Sequence, residues 1–219
     1  MPEGNFFHYD QAAVDHLARK DKKLAAAMQA IGPVRREVMP DLFQALMHAI
    51  TGQQISMAAQ RTVWGRLCGL LGEVTPQALL AQPQTALQAL GLSARKVDYM
   101  RGIARQVVDG ELDLPGMAAL EDAEVCRRLA ALRGIGVWTA EMLLLFSLQR
   151  PDILSYDDLA IRRGLRMLYR HKEMPRERFE RYRRRFSPYG SLASLYLWAI
   201  AGGALPELDD PAERKKGRS

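Results

Sequence analysis

The chain has 219 residues, of which 48% are hydrophobic, and it carries a net charge of +6 with a pI near 9.5. The length allows one large domain or two small lobes that share a cleft, and the charge indicates an anionic partner, with nucleic acid the leading candidate. No apolar run reaches the ~18 residues of a membrane span and the start M-P-E-G-N lacks a signal-peptide core, which excludes a membrane partner and predicts an intracellular protein.

Helical patterns fill the first half of the chain. Asp10–Ile31 predicts a helix broken near Lys20–Lys23, and Asp41 is predicted to cap the next helix. Short apolar repeats predict further helices over about residues 56–71, 75–81, 83–90 and 93–108, with Ser93 as the cap of the last. The segment D-L-P-G at 113–116 is predicted to form a turn.

Two polar features interrupt these helices. Gln53 and Gln54 lie in the segment G-Q-Q-I-S, where composition alone favours a solvated turn. Arg95 and Lys96 lie at a helix start, where a structural role would favour acidic residues. These two cations are therefore either phosphate contacts or merely solvated.

The segment L-R-G-I-G-V, residues 132–137, separates a predicted helix over 123–131 from a buried one over 137–148. Glycines two positions apart let the chain turn tightly and approach another surface closely. The amides at the start of the second helix then form an anion site. An ordinary helical hairpin is the alternative interpretation.

Adjacent carboxylates, Asp157 and Asp158, follow this hairpin and begin another helical pattern that runs to about Tyr169. Further helices are predicted from Pro175 to residue 185 and over 191–201. Residues 206–219 form a short basic tail that is expected to be disordered. The chain shows no internal repeat and no strand pattern.

The combination of L-R-G-I-G-V-W-T-A with Asp158, 20 residues after Trp138, resembles the helix-hairpin-helix DNA glycosylase superfamily. The segments G-I-G-V-W-T-A-E-M and D-D-L are most similar to its alkylbase, 3-methyladenine type II, branch. The resemblance extends from A-I-T-G-Q-Q-I-S to about Trp198. It implies an all-α, two-lobed fold with a central cleft, one lobe formed by residues 40–156 and the other by 1–39 plus 157–219.

The resemblance also implies an activity. A monofunctional DNA glycosylase of base excision repair would flip alkylated purines, such as 3-methyladenine and 7-methylguanine, from duplex DNA and leave an abasic site. Asp158 would stabilise the sugar cation, while Asp157 is interpreted as the helix cap. The resemblance places the wedge that fills the gap at Gln54, with Gln53 as the neighbouring alternative.

Further site residues follow from the same resemblance. Trp138 and Tyr189 would line the base pocket with Met142, which stands where the branch often has an aromatic residue. The carbonyls of Leu132 and Gly134 would hold a monovalent cation. The predicted phosphate-binding residues are Gly134, Gly136, Val137, Trp138, Thr139, Arg95 and Lys96.

Two absences narrow the expected chemistry. Members that also cut the strand place a lysine where this chain has Trp138, so no lyase activity is expected. The cysteines Cys68 and Cys126 have no metal-ligand spacing and no cysteine follows them, so no iron–sulfur cluster and no other cofactor are expected.

Two other functions remain as alternatives to the alkylpurine glycosylase: a non-enzymatic DNA-binding module and a glycosylase for other damaged or mismatched bases. A monomer is expected, in the cytoplasm or nucleoid of a bacterium or in a eukaryotic nucleus.

Overall fold

A computed structural model describes residues 5–212 and shows that the all-α prediction is correct. Among these residues there is no strand, only an isolated antiparallel bridge between Phe6 and Glu37. None of their helices is long and apolar enough to cross a membrane. The helices are α1 Gln11–Lys20, α2 Lys22–Ile31, α3 Leu42–Gly52, α4 Met57–Leu71, α5 Pro76–Ala81, α6 Gln84–Ala89, α7 Ala94–Val108, α8 Asp122–Ala130, α9 Val137–Phe146, α10 Leu159–Tyr169, α11 Arg176–Phe186 and α12 Gly190–Ala201.

The contacts divide the chain into two units, one of residues 39–148 and the other of residues 1–38 plus 149–219. The sequence placed the boundaries at 40 and 156. In the first unit α3 packs against α4, α7 and α9, and α8 packs against α9. In the second unit α10 packs most extensively against α12. Gly164 allows this close packing, because a Cβ atom there would overlap the backbone carbonyl of Leu197.

Several helix ends lie where side-chain chemistry predicts them. The Asp41 and Ser93 side chains accept hydrogen bonds from the amides of Gln44 and Lys96, which confirms both caps. The predicted break in the first helix falls at Asp21, whose carboxylate caps α2 through the amides of Lys23 and Leu24. Because a capping side chain marks the first turn of a helix, the starts of these helices could be predicted from the sequence.

The turn predicted at 113–116 is present and continues into a 3₁₀ helix over Pro115–Ala119. Two other local predictions are wrong. The helix that begins at Val137 is not buried at its start, because Val137 and Trp138 are 51% and 46% exposed. Residues 206–212, assigned to a disordered tail, are held by buried Asp210, which accepts a hydrogen bond from Arg166 Nε at 3.0 Å. The rest of that tail, 213–219, lies outside the described residues.

Candidate active site

A cavity of about 1000 Å³ opens within the unit of residues 39–148. Helices α3, α7 and α9 line it, together with the turns that precede α4 and α9. It collects residues from Met39 to Ser147, which are 108 positions apart in the chain. The predicted site residues among them are Gln53, Gln54, Arg95, Lys96, Gly134, Trp138, Thr139 and Met142.

The two glutamines after α3 have different surroundings. Gln53 is half-buried and its side-chain Nε2 donates to the Gly134 carbonyl at 2.7 Å. Gln54 is exposed and adopts a left-handed backbone conformation, with φ 57°. Gln54 is therefore the glutamine that the turn presents, while Gln53 ties the turn to the hairpin.

Lys96 provides a second attachment for the same turn. Its Nζ donates to the Thr51 carbonyl at 2.9 Å, in the last turn of α3, where helix carbonyls carry partial negative charge. Burial lowers the pKa of Lys96. The sequence did not indicate this structural partner for a residue assigned to phosphate binding. Arg95, beside it, is exposed.

The hairpin between α8 and α9 is anchored by the buried side chains of Leu132 and Ile135. Gly134 has φ +89°, and a Cβ atom there would overlap the ring of Tyr99. Gly136 has φ −93° and open space around its Cβ position. Only the first glycine is thus required by the backbone; the second leaves the approach to the hairpin unobstructed.

The start of α9 has the features of an anion site. Gly136 is its N-cap and no side chain caps this end. The amides of the first turn, which begins Val137, Trp138, Thr139, have no carbonyl partner within the helix. Their partial positive charge and the absence of a side chain at Gly136 suit a phosphate oxygen.

The cavity contains aromatic residues that no motif indicated. Tyr99, Phe146 and His48 line it along with Trp138 and Met142. The ring of His48 meets that of Trp64 edge-on at 5.0 Å, and burial lowers the pKa of His48, which favours the neutral imidazole. His48 and Tyr99 are single side chains on helices without a motif, and Phe146 is the last residue of α9, so only the fold identifies them as cavity residues.

Asp158 lies in the other unit, at the N-terminus of α10, and is 7% exposed. Its Oδ1 accepts hydrogen bonds from the Ile161 amide at 2.8 Å and from the Trp198 indole at 3.1 Å. Asp158 is therefore the cap of α10, and the assignment of this cap to Asp157 is wrong. The Asp157 side chain is exposed.

Tyr189 belongs to the same unit as Asp158. Its ring meets that of His16 edge-on at 5.2 Å and lines a small cavity of about 180 Å³ with Pro151 and Leu192. Among the residues that the structure describes, no group of three or more His, Cys, Asp or Glu could hold a metal ion.

The chain is similar to a known protein family and to characterised relatives. The family model described as HhH-GPD superfamily base excision DNA repair protein matches residues 47–188. DNA-3-methyladenine glycosylase 1 of Schizosaccharomyces pombe is 30% identical, over 92% of this chain and 91% of that protein.

Two solved structures are similar over nearly all of their length. A DNA-3-methyladenine glycosidase from Bacillus halodurans aligns with a TM-score of 0.83 and 34% identity, covering 93% of this chain and 95% of the other. The 3-methyladenine DNA glycosylase of Schizosaccharomyces pombe, solved with abasic DNA, aligns with a TM-score of 0.75 and 30% identity, covering 86% and 95%. With a family match over most of its length and these relatives, the chain belongs to the HhH-GPD superfamily of base excision DNA repair proteins.

Proposed function

We propose that this protein is a monofunctional DNA glycosylase that flips alkylated purines, of the 3-methyladenine and 7-methylguanine type, from duplex DNA and hydrolyses their N-glycosidic bond. The observation that carries the proposal is the carboxylate of Asp158, fixed by a helix amide and an indole in a chain of this family. The similarity to proteins named DNA-3-methyladenine glycosylase supports the choice of substrate class.

The chemistry requires one well-placed carboxylate. As the bond between C1′ and the base nitrogen breaks, its electron pair leaves with the base and positive charge develops on the sugar. A fixed negative charge stabilises this transition state more than the ground state. Water then adds to C1′ and loses a proton, and the products are a free base and an abasic site.

An alkylated purine needs no acid to protonate it, because its ring is already cationic and becomes neutral on leaving. The electron-rich indole of Trp138, 46% exposed and lining the cavity, suits such a cation through a cation–π interaction. The neutral imidazole favoured for His48 adds no opposing charge to the cavity. We also assign Met142, which lines the same cavity, to the base pocket. Tyr189 lines a different cavity and is assigned to the base pocket on the resemblance alone.

The absence of lyase activity is part of the proposal. A Schiff base with the sugar requires a nucleophilic lysine, and the hairpin carries Trp138 at the corresponding position. Lys96 is the single lysine in residues 39–148, and its Nζ is held by the Thr51 carbonyl. We therefore expect base release without strand cleavage.

Base release from a panel of methylated duplexes tests the function. We expect free 3-methyladenine and 7-methylguanine, with the strand cleaved only after alkali treatment of the abasic product. Binding without release would favour the non-enzymatic module, and release of oxidised or mismatched bases alone would favour the other class of glycosylase.

The hairpin is proposed to bind phosphate independently of sequence, because it offers backbone amides rather than base-reading side chains. The carbonyls of Leu132 and Gly134 each accept one hydrogen bond, from the Ile135 amide and the Gln53 side chain. Each retains a second lone pair, so both suit a monovalent cation beside the bound phosphate.

Gly136→Val is expected to weaken binding at least tenfold to damaged and undamaged duplexes alike. The valine side chain would occupy the open space by which a phosphate approaches the first amides of α9. The free energy of unfolding should fall by at most about 1 kcal/mol, the scale of an N-cap change. Fluorescence anisotropy with both duplexes measures the effect, and altered base preference at unchanged affinity would contradict the anchor.

Gln54→Ala is expected to slow base excision roughly fivefold to tenfold, the value of one or two hydrogen bonds to the orphaned strand. Its stability should equal that of the wild type, since the side chain is exposed. Gln53→Ala is the matched variant: it removes the bond to the Gly134 carbonyl and should cost about 1 kcal/mol of stability. If only Gln53→Ala slowed excision, the wedge would be Gln53. Single-turnover rates and urea unfolding separate the two effects.

A further inference from the structure

The net positive charge of the protein belongs to one of its two units. Of the 31 Lys and Arg residues, 22 belong to residues 1–38 and 149–219 and 9 to residues 39–148. Of the 25 Asp and Glu residues, 15 belong to the former and 10 to the latter. The unit with the wedge turn and hairpin is thus close to neutral, and the other unit carries the excess of positive charge.

Much of this charge lies on α11, R-E-R-F-E-R-Y-R-R-R-F. Phe179, Tyr182 and Phe186 recur at spacings of three and four and are buried. Arg178, Arg181 and Arg185 follow the same spacing one position earlier, so they share the neighbouring face of the helix.

Lys23 of α2 extends this face. Its Nζ lies 5.8 Å from the centre of the Tyr169 ring, which packs on Tyr182 at 4.3 Å. The guanidinium of Arg185 lies over the Tyr182 ring, 5.3 Å from its centre. The pKa of His171 is lowered by burial and then by the charges of Arg178, Lys23 and Arg181, which therefore converge on one place. We name the surface of Lys23, Arg178, Arg181, Arg184 and Arg185 the α11 basic face.

Structural roles account for only part of this face. Arg185 pairs with buried Asp21 at 2.7 Å. Arg181 pairs with Glu177 at 3.4 Å, but both side chains are more than half exposed, so the pair adds little stability. Arg184 is exposed and has no acidic partner within residues 5–212. Cations near a helix C-terminus are favourable, yet one or two would suffice for that.

We propose that the α11 basic face binds the sugar–phosphate backbone of duplex DNA, as a contact separate from the hairpin. Duplex DNA carries one negative charge per ~1.7 Å, and the helix from Arg178 to Arg185 rises by ~10 Å, enough to meet several phosphates. Arginine suits this task through its planar, multidentate guanidinium. The inference rests on the proposed action on duplex DNA.

The face is remote from the proposed chemistry. Asp158 caps the first turn of α10, whereas Tyr169 and His171 lie at its other end. The 11 residues between them correspond to about 16 Å of helix, or about five base pairs. The contact therefore serves flanking duplex and should not depend on the identity of the damaged base.

The test uses the full chain with Arg181→Gln and Arg184→Gln combined, leaving the pair of Arg185 with Asp21 intact. Binding to 30-base-pair duplexes, one undamaged and one with an abasic-site analogue, is followed by anisotropy as salt is varied. If both arginines contact phosphates, the slope of log K against log salt should fall by about 1.8 for both duplexes.

Arg127→Gln combined with Arg128→Gln is the matched control, because it removes two exposed helical arginines that pair with Glu124 in the other unit. It should leave the slope unchanged and should excise bases at the wild-type rate. An unchanged slope for the α11 variant, or an equal loss in the control, would overturn the proposal. The slope could also fall as expected while neither the wild type nor any variant releases bases. In that case the DNA contact would stand and the proposed function would fail.

Discussion

Asp158→Asn is expected to slow base excision by two to three orders of magnitude while leaving affinity for a duplex with an abasic-site analogue nearly unchanged. Loss of one preorganised electrostatic group at a developing charge costs about 3–4 kcal/mol in the transition state. Asparagine is as good a helix cap as aspartate and can accept the same bonds from the Ile161 amide and the Trp198 indole. The variant should therefore fold normally.

Single-turnover release of 3-methyladenine or 7-methylguanine measures this loss, with a thermal melt to verify folding. Asp157→Asn is the matched control, since it removes the neighbouring charge from an exposed position that caps no helix. It should retain wild-type activity and stability. Wild-type rates for Asp158→Asn, or lost activity in well-folded Asp157→Asn, would reverse the roles of the two aspartates.

Gly134→Val should destabilise the protein by on the order of 2–4 kcal/mol, through a side chain forced into a left-handed backbone and into the ring of Tyr99. Urea unfolding measures the loss, and DNA affinity should fall with it because the hairpin is displaced. Gly136→Val, with open space at its Cβ position, is the control and should unfold near the wild-type midpoint.

Combining Gly134→Val with Tyr99→Ala separates the two causes. Removal of the ring should recover the part of the loss that comes from overlap, while the cost of the backbone conformation should remain. If the double variant were no more stable than the sum of the single losses predicts, contact with Tyr99 would not be the reason for a glycine at this position.

Features carried by neighbouring residues could be predicted from the sequence. The helices, the caps Asp41 and Ser93 and the hairpin glycines all belong to short local patterns. Which of Asp157 and Asp158 caps α10 could not be predicted. Two adjacent carboxylates look alike in the sequence, and only the exact start of the helix decides which one lies beside its amides.

Contacts between residues that are far apart in the chain could not be predicted from the sequence either. The partner of Lys96 is a carbonyl 45 positions away, and that of Gln53 lies 81 positions away. Tyr99 and His48 join the cavity from separate helices, without a motif around either one. The prediction that Lys96 binds phosphate rests on its place at a helix start, where a cation has no local structural reason, and it stays a prediction.

The attachments of the turn at Gln54 affect how the protein would search DNA. Gln53 and Lys96 hold this turn to the hairpin and to α7 before any DNA is present. Little chain entropy is then lost when the turn enters the groove, and each encounter presents it in the same form. If this turn is the wedge, the dwell time at a site would then depend on how easily the base pair opens. Lesions that weaken stacking or pairing would be sampled more deeply than intact pairs, before any contact with the base itself.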